Sequence, residues 1–228
     1  MNESSPGVTS IWAVASVYKV AEIEGKGLGC VAAVDIEKGS LILTENPQIC
    51  GNDEEERESS KWIKSLLKSF KRMKKADQME YMALHNKYNN FQDSQNVEYH
   101  VEQIELFKEK IMERDIKNWK LEICKIEQNP EKAAEILKIC CIYSTNSFPS
   151  GVKIKTSRFN HSCEGNATTI IMLNDEHQIR AISNIKVGQE INIIYNNDPF
   201  SGLRTKKFRQ MSLLFKWLFM CSCDLCKN

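Results

Sequence analysis

The first part of the chain combines short apolar runs with glycine turns. Stretches rich in β-branched and aromatic residues occur at 12–17, 30–34 and 41–44, and glycines lie between them. Such short runs bounded by turn residues are typical of strands joined by tight turns. Residues 10–50 are therefore predicted to form strands and hairpins.

The pattern changes to a helical period after residue 53. An acidic run at 53–56 leads into apolar residues from Trp62 to Met73, with lysines on the opposite face. Carboxylates are favoured at the positive end of the helix dipole, so the acidic run is interpreted as a solvated helix start. The apolar stripe predicts an amphipathic helix.

Helical spacing resumes beyond a polar stretch at 86–96. Apolar residues predict one helix over 104–126 and a second over 133–143, and Asn129-Pro130 separates the two. The strand pattern then returns in the last third of the chain. Three further strands are predicted, at 168–173, 178–182 and 190–195. These patterns predict a mainly β, mostly antiparallel core with an α-helical insertion, which is an α+β fold.

Composition narrows the classes of partner. The 228 residues carry 31 lysines and arginines against 30 aspartates and glutamates, so no global field favours nucleic acid as a direct partner. No apolar run approaches the roughly 20 residues that span a bilayer, so no membrane partner is expected. Nine cysteines, four of them at metal-ligand spacing, fit a reducing compartment. We therefore expect a cytoplasmic or nuclear protein, or one found in both.

The cysteines near the end of the chain have the spacing of metal ligands. Cys221, Cys223 and Cys226 form a CxCxxC pattern, which supplies three thiolates from one tight loop. A closed tetrahedral zinc site needs a fourth ligand, and Cys163, in the polar sequence Asn160-His161-Ser162-Cys163, is the best candidate. One structural zinc is therefore predicted. Redox exchange by CxCxxC on an unrelated fold is the alternative.

The other five cysteines are interpreted as structural. Cys124, Cys140 and Cys141 lie on apolar helical faces, where a free cysteine behaves as a small hydrophobic residue. Cys30 and Cys50 lie in or beside predicted strands.

The order of motifs resembles the SET domain of protein lysine methyltransferases. Asn160-His161-Ser162-Cys163 is followed by Gly188-Gln189-Glu190, by Tyr195 and by CxCxxC. The closest similarity is to the SET-MYND group and its arthropod-type relatives, through the glycine turn at 25–29, Asn146-Ser147-Phe148, and Phe219 before the first cysteine of CxCxxC. The resemblance implies small curved sheets, a C-terminal pseudoknot and a zinc-binding post-SET segment.

This resemblance also implies a division of the chain. Residues 10–50 would form the N-terminal part of the SET domain, and 51–145 a helical insertion. Residues 146–200 would form the catalytic core, and 201–228 the post-SET segment.

The resemblance implies transfer of a methyl group from S-adenosylmethionine to a lysine of a histone or another protein. Tyr195 would be the catalytic residue. Asn160 would contact the amino and carboxylate groups of the cofactor, the His161 backbone its adenine, and Phe219 the adenine face. The implied cofactor-binding set is Lys26, Gly27, Leu28, Asn146, Ser157, Asn160, His161, Tyr195, Trp217 and Phe219.

Several positions depart from the family pattern. Gly165 replaces a usual proline, Gln189 replaces an acidic residue, and Lys26 lies in the glycine turn. Neither a MYND zinc cluster near residue 50 nor a helical C-terminal domain is expected. Substrate recognition is then reduced, or supplied by an accessory protein. A catalytically inactive SET module that acts in protein interaction or transcriptional regulation is the alternative function.

Overall fold

A computed structural model describes four parts of the chain. They are residues 16–50, 59–88, 101–195 and 204–227. The predicted strand residues Trp12 and Val14 and the acidic run at 53–56 lie outside these ranges.

Strands occur on both sides of a set of helices. In chain order the elements are β1 (Tyr18–Ile23), β2 (Gly27–Ala32), β3 (Leu41–Glu45), α1 (Ser60–Arg72), α2 (Lys75–Met82), α3 (Val101–Cys124), α4 (Pro130–Asn146), β4 (Ser147–Phe148), β5 (Gly151–Val152), a 3₁₀ turn (Thr156–Arg158), β6 (Ala167–Ile171), β7 (His177–Ala181), α5 (Lys206–Trp217) and α6 (Asp224–Lys227). Helices occupy more of the described residues than strands do. The predicted α+β fold with helices inserted between two sets of strands is confirmed.

The described strands form three small antiparallel sheets. β1 pairs with β2, β4 pairs with β5, and the third sheet has the order β3-β7-β6. The β1–β2 turn contains Gly25 and Gly27, whose φ angles of 70° and 71° are left-handed and favour glycine. The third sheet joins a strand from before the helices to two strands that follow them.

Local sequence explains where the helices begin. Ser59 caps α1, because its hydroxyl accepts a hydrogen bond from the Trp62 amide at 3.2 Å. Asn129 caps α4 in the same way, and Pro130 occupies the first turn, so this helix begins three residues before the predicted start at 133. Thr205 caps α5, a helix that the pattern analysis did not separate from the C-terminal segment.

The predicted strand at 190–195 is wrong. This segment changes partners along its length instead of following one neighbouring strand. The Ile191 amide donates to Cys30 at 2.7 Å, and the Ile193 amide donates to Asn160 at 3.0 Å. Only isolated bridges result, from Glu190 to Val31 and from Ile193 to His161. The segment therefore connects the β1–β2 hairpin to the Asn160 loop, which is residues 159–166 between the 3₁₀ turn and β6.

Three apolar clusters hold the described parts together. The largest lies between the helices and includes Leu66, Tyr81 and Ile142, and Ile49 and Val152 extend it to the strands. A second cluster fills the space between the sheets, and a third surrounds the C-terminal cysteines. In the parts of the chain described, no helix is both long enough and apolar enough to span a bilayer.

One ionisable side chain is buried against the third sheet without a polar partner. The His177 ring is 1% exposed, and neither ring nitrogen has a hydrogen-bond partner among the described residues. The ring lies edge-on to Phe148, with centroids 5.1 Å apart. Burial, and then the nearby Lys153 ammonium, lowers the pKa of His177 to about 4, and Asp175 opposes the shift.

The burial of His177 predicts a stability that depends on pH. Between pH 6.5 and 4 the unfolded chain binds a proton that the folded chain excludes, so the free energy of unfolding should decrease as pH falls through this range. The effect is at most about 3 kcal/mol. Urea unfolding between pH 7 and 4 should show a shallower dependence in His177→Phe than in the wild type. Equal pH dependence in both proteins would contradict this assignment.

Candidate functional site

Four cysteine sulfurs from distant parts of the chain meet at one point. Cys163 lies after the 3₁₀ turn, and Cys221, Cys223 and Cys226 lie at the end of the chain; their sulfurs are all within 4.8 Å of one another. The Cys163 sulfur is 3.8 Å from that of Cys221 and 3.6 Å from that of Cys226. A tetrahedral metal with bonds of about 2.3 Å to sulfur requires sulfurs about 3.8 Å apart. The geometry therefore fits a four-thiolate metal site.

A buried arginine lies against this cluster. Arg209 on α5 is 7% exposed, and its Nη2 donates to the Leu225 carbonyl at 2.8 Å and to the Cys226 sulfur at 3.5 Å. Burial lowers the pKa of the guanidinium, but the hydrogen bonds to the Cys226 and Cys163 sulfurs outweigh burial and raise this pKa. Among the described ion pairs none joins Arg209 to a carboxylate. The described partners of Nη2 are thus the Cys226 sulfur and the Leu225 carbonyl.

The α5 helix and the turn that follows it bring the three C-terminal cysteines into place. Leu218 ends α5 in a left-handed conformation, with φ of 58°, which reverses the chain toward Cys221. The Gln210 side chain donates to the Cys221 carbonyl at 3.0 Å, and the Cys223 amide lies 3.5 Å from the Cys221 sulfur. The loop is therefore held to its helix by side-chain and backbone hydrogen bonds.

The candidate catalytic tyrosine lies beside the cysteine cluster. The Tyr195 hydroxyl donates to the Phe159 carbonyl at 3.0 Å, and its ring centroid is 5.0 Å from that of Trp217. The rings of His161 and Phe219 lie at 5.4 and 6.3 Å. Burial raises the pKa of Tyr195, and the Glu190 carboxylate adds to the shift. The phenol is therefore neutral at physiological pH.

The Glu190 carboxylate joins the hairpin to the Asn160 loop. One oxygen accepts from the Lys26 ammonium at 2.6 Å, and the other accepts from the Asn160 amide at 2.9 Å. A Cβ at Gly29 would lie 2.4 Å from this amide nitrogen, so the close approach requires glycine there. The predicted cofactor wall consequently contains an ammonium, a carboxylate and an amide group, from Lys26, Glu190 and Asn160.

Asn146 and Ser157 are adjacent, but their hydrogen bonds are internal. The Asn146 amide donates to the carbonyls of His85 and Ile142 at 2.7 and 2.8 Å. The Ser157 hydroxyl donates to the Lys153 carbonyl at 2.8 Å. The Asn146 side chain therefore connects the end of α4 to His85, and the Ser157 hydroxyl, 3.4 Å from the Asn146 carbonyl, connects the 3₁₀ turn to the end of α4.

A cavity of about 320 Å³ opens beside the hairpin. It includes Leu28 from the predicted cofactor set and Arg158, the neighbour of Ser157. Its lining residues are Tyr18, Val20, Leu28, Glu80, Ile154, Lys155 and Arg158. A larger depression of about 730 Å³ is lined by residues of α3, and none of these described lining residues belongs to the predicted site.

The sequence analysis gave no role in the site to two charged residues, Glu190 and Arg209. Glu190 appears in the sequence only as the last residue of the Gly188-Gln189-Glu190 motif, although it pairs with Lys26 across 164 positions. Arg209, within the basic sequence at 206–209, looks like an ordinary surface residue. Its burial depends on α5 packing against the cysteine loop, which no local pattern indicates.

Comparison with known proteins identifies the family. A family model of the SET domain matches residues 27–196, which is most of the chain. The chain belongs to the SET-domain family. The Glu190 network, which consists of Lys26, Asn160 and Glu190, lies within the matched range except for Lys26, which precedes it. The range also contains Tyr195 and Cys163, whereas the three C-terminal cysteines follow it.

Curated relatives include fungal enzymes and a viral protein. The chain is 30% identical over 103 residues to histone-lysine N-methyltransferase SET5 of Candida albicans, covering 44% of this chain and 21% of that protein. It is 27% identical over 212 residues to the SET domain-containing protein L678 of Acanthamoeba polyphaga mimivirus, covering 90% of this chain and 75% of that protein. The chain thus spans about a fifth of the Candida relative.

Solved structures share the fold. The SET domain of LSMT bound to lysine and AdoHcy superposes with a TM-score of 0.52 at 14% identity, covering 91% of this chain and 54% of that one. Rubisco LSMT bound to sinefungin and monomethyllysine gives 0.53 at 16% identity, covering 91% and 52%. These similarities support the SET-domain fold.

The position of Arg209 predicts that it strengthens metal binding. Arg209→Met should lower metal affinity about 10- to 100-fold, because the thiolates lose their buried counter-charge, and Arg209→Lys should lose less. Competition with a chromophoric chelator measures this affinity. Arg114→Met, which removes an arginine whose side chain is 70% exposed, is the control. Unchanged affinity in a folded Arg209→Met protein would exclude this role.

Proposed function

We propose that this chain is an S-adenosylmethionine-dependent methyltransferase that transfers a methyl group to a protein lysine. Membership of the SET-domain family supports the proposal, as do the fungal relatives named histone-lysine N-methyltransferases. The LSMT structures hold AdoHcy with lysine, and sinefungin with monomethyllysine. The observation that carries the proposal is the position of Tyr195 between the Glu190 network and the cysteine cluster.

The Glu190 network suits the amino-acid end of this cofactor. Bound S-adenosylmethionine supplies a methyl group on a positively charged sulfur. The Lys26 ammonium and the Glu190 carboxylate offer opposite charges to its carboxylate and ammonium groups, and the Asn160 amide can exchange its bond to Glu190 for one to the cofactor. Gly27 and Leu28 would contribute the neighbouring wall. Asn146, Ser157 and the His161 backbone complete this proposed binding set.

Tyr195 is proposed to orient the substrate amine. Its hydroxyl hydrogen is directed at the Phe159 carbonyl, so its oxygen lone pairs are available to accept a hydrogen bond from an amine. A lysine amine, with an ordinary pKa of about 10.4, must be neutral to attack. Burial in a narrow channel and a nearby positive charge both favour loss of its proton. Catalysis would therefore consist of positioning and electrostatics.

The four cysteines are proposed to hold one structural zinc. Thiolates are preferred zinc ligands, and four of them leave no position for chemistry. Trp217 and Phe219 lie just before the three C-terminal cysteines and pack against Tyr195. Metal binding would therefore order the aromatic wall of the cofactor site.

The proposal also covers the SET subgroup, the division of the chain, the substrate and the location. We infer a member of the SET-MYND group, with the N-terminal SET part at 10–50, the insertion at 51–145, the catalytic core at 146–200 and the post-SET segment at 201–228. The substrate is a protein with an accessible lysine, and an accessory protein aids its recognition. The cytoplasm and the nucleus are the proposed locations.

Conversion of Tyr195 to phenylalanine tests the proposed activity. Tyr195→Phe should lower methyl transfer to core histones about 100-fold or more and change cofactor affinity little, because only the orienting oxygen is removed. Radiolabelled S-adenosylmethionine measures transfer, and calorimetry measures binding. Tyr88→Phe, which removes a hydroxyl bonded to Asp115 in the helical part, is the matched control.

The two measurements separate the alternatives. Cofactor binding without transfer to histones or to other proteins would support the inactive interaction module. Equal turnover in Tyr195→Phe and wild type would remove Tyr195 from the mechanism.

A further inference from the structure

The His161 ring makes two polar contacts in opposite directions. The Tyr195 amide lies 3.2 Å from Nδ1, and the Cys163 sulfur lies 3.4 Å from Nε2. A backbone amide can only donate, so Nδ1 accepts and the ring hydrogen is on Nε2. The Nε2 hydrogen is therefore directed at the sulfur. The ring is 7% exposed, so water competes little for either bond.

The His161 ring also packs beside the aromatic rings of Tyr195 and Phe219. Its centroid lies 5.4 Å from that of Tyr195 and 6.1 Å from that of Phe219. The described contacts of Tyr195 with Trp217 and Phe219 are between rings, and its hydroxyl bonds the Phe159 carbonyl. Among the described contacts, His161 thus gives the direct polar connection between a cysteine of the cluster and Tyr195.

We propose that the His161 side chain is a positioning residue that couples the metal site to Tyr195. This inference rests on the proposed function, because Tyr195 and Cys163 receive their roles there. With a metal bound, Cys163 is fixed, and Nε2 holds the ring in one orientation. Nδ1 then fixes the Tyr195 amide and so the position of its hydroxyl. Loss of the metal releases Cys163 and, through His161, loosens Tyr195.

Two substitutions separate this role from simple packing. His161→Phe keeps an aromatic ring beside Tyr195 and Phe219 but removes both hydrogen bonds. His161→Gln keeps an amide oxygen that can accept from Tyr195 and an amide hydrogen that can donate to Cys163. His177→Phe removes a buried histidine outside the site and is the control. Thermal unfolding of each zinc-loaded variant confirms folding.

Cobalt-substituted protein reports the contact with sulfur. A hydrogen bond stabilises the electrons of a thiolate, so His161→Phe should shift the sulfur-to-cobalt charge-transfer band to longer wavelength. The shift should be smaller in His161→Gln and absent in His177→Phe. A band unchanged in His161→Phe would overturn the proposal.

Tyrosine-selective ¹³C NMR reports the effect on Tyr195 without requiring activity. In the wild type, zinc removal should shift or broaden the Tyr195 signal, which is assigned by its absence in Tyr195→Phe. In zinc-loaded His161→Phe the signal should already be displaced, and His161→Gln should restore it in part. A Tyr195 signal that does not change when zinc is removed from the wild type would also overturn the proposal.

Turnover gives the functional readout. His161→Phe should lower kcat and zinc affinity about 10- to 100-fold each, and His161→Gln should recover part of both. Absence of methyl transfer in the wild type, together with the expected cobalt and NMR changes, would refute the proposed function and leave the coupling intact. Normal kcat in His161→Phe would refute the coupling and leave the proposed function intact.

Discussion

The meeting of Cys163 with the C-terminal cysteines is the contact on which the candidate site depends. It joins a loop that follows the helices to the last described residues of the chain, 58 and 63 positions away. The small cluster around these sulfurs includes Leu213 and also reaches Tyr195, Trp217 and Phe219. This meeting brings the C-terminal segment, with the rings of Trp217 and Phe219, beside Tyr195.

The other side of the site is built by a different kind of interaction. There the β1–β2 hairpin, the Asn160 loop and the segment before Tyr195 meet at the Glu190 carboxylate. The backbone of that last segment bonds Cys30 on one side and Asn160 on the other. Tyr195 lies where this charged network and the cysteine cluster come together. Helices α1 to α4 pack mainly on one another, and Ile49 and Val152 extend their apolar cluster to the strands.

Part of this arrangement could be predicted because its physical signals are local. The spacing of Cys221, Cys223 and Cys226 places three sulfurs in one tight loop, and the stripe from Trp62 to Phe70 reflects one buried helix face. The hairpin and the strands β6 and β7 followed from runs of β-prone residues and turn residues. The polar surroundings of Cys163, and not its spacing, predicted that it joins the three C-terminal cysteines, and its sulfur does lie among theirs.

The remainder depends on tertiary contacts that leave no local trace. The segment at 190–195 has the composition of a strand, but its backbone bonds are divided between two neighbours. Arg209 is buried only because α5 packs against the cysteine loop, and Glu190 finds its partners across long stretches of chain. The two contacts of the His161 ring likewise appear only once Cys163 and Tyr195 are placed around it.

Native mass spectrometry of the purified chain with S-adenosylmethionine tests the central claim most directly. The account predicts one zinc ion per chain, with cofactor retained on the zinc-bearing species and lost from the species stripped of metal by a chelator. Equal cofactor binding to both species would contradict the claim that the four-cysteine site orders the aromatic wall formed by Trp217 and Phe219. A purified protein without zinc would contradict the metal site itself.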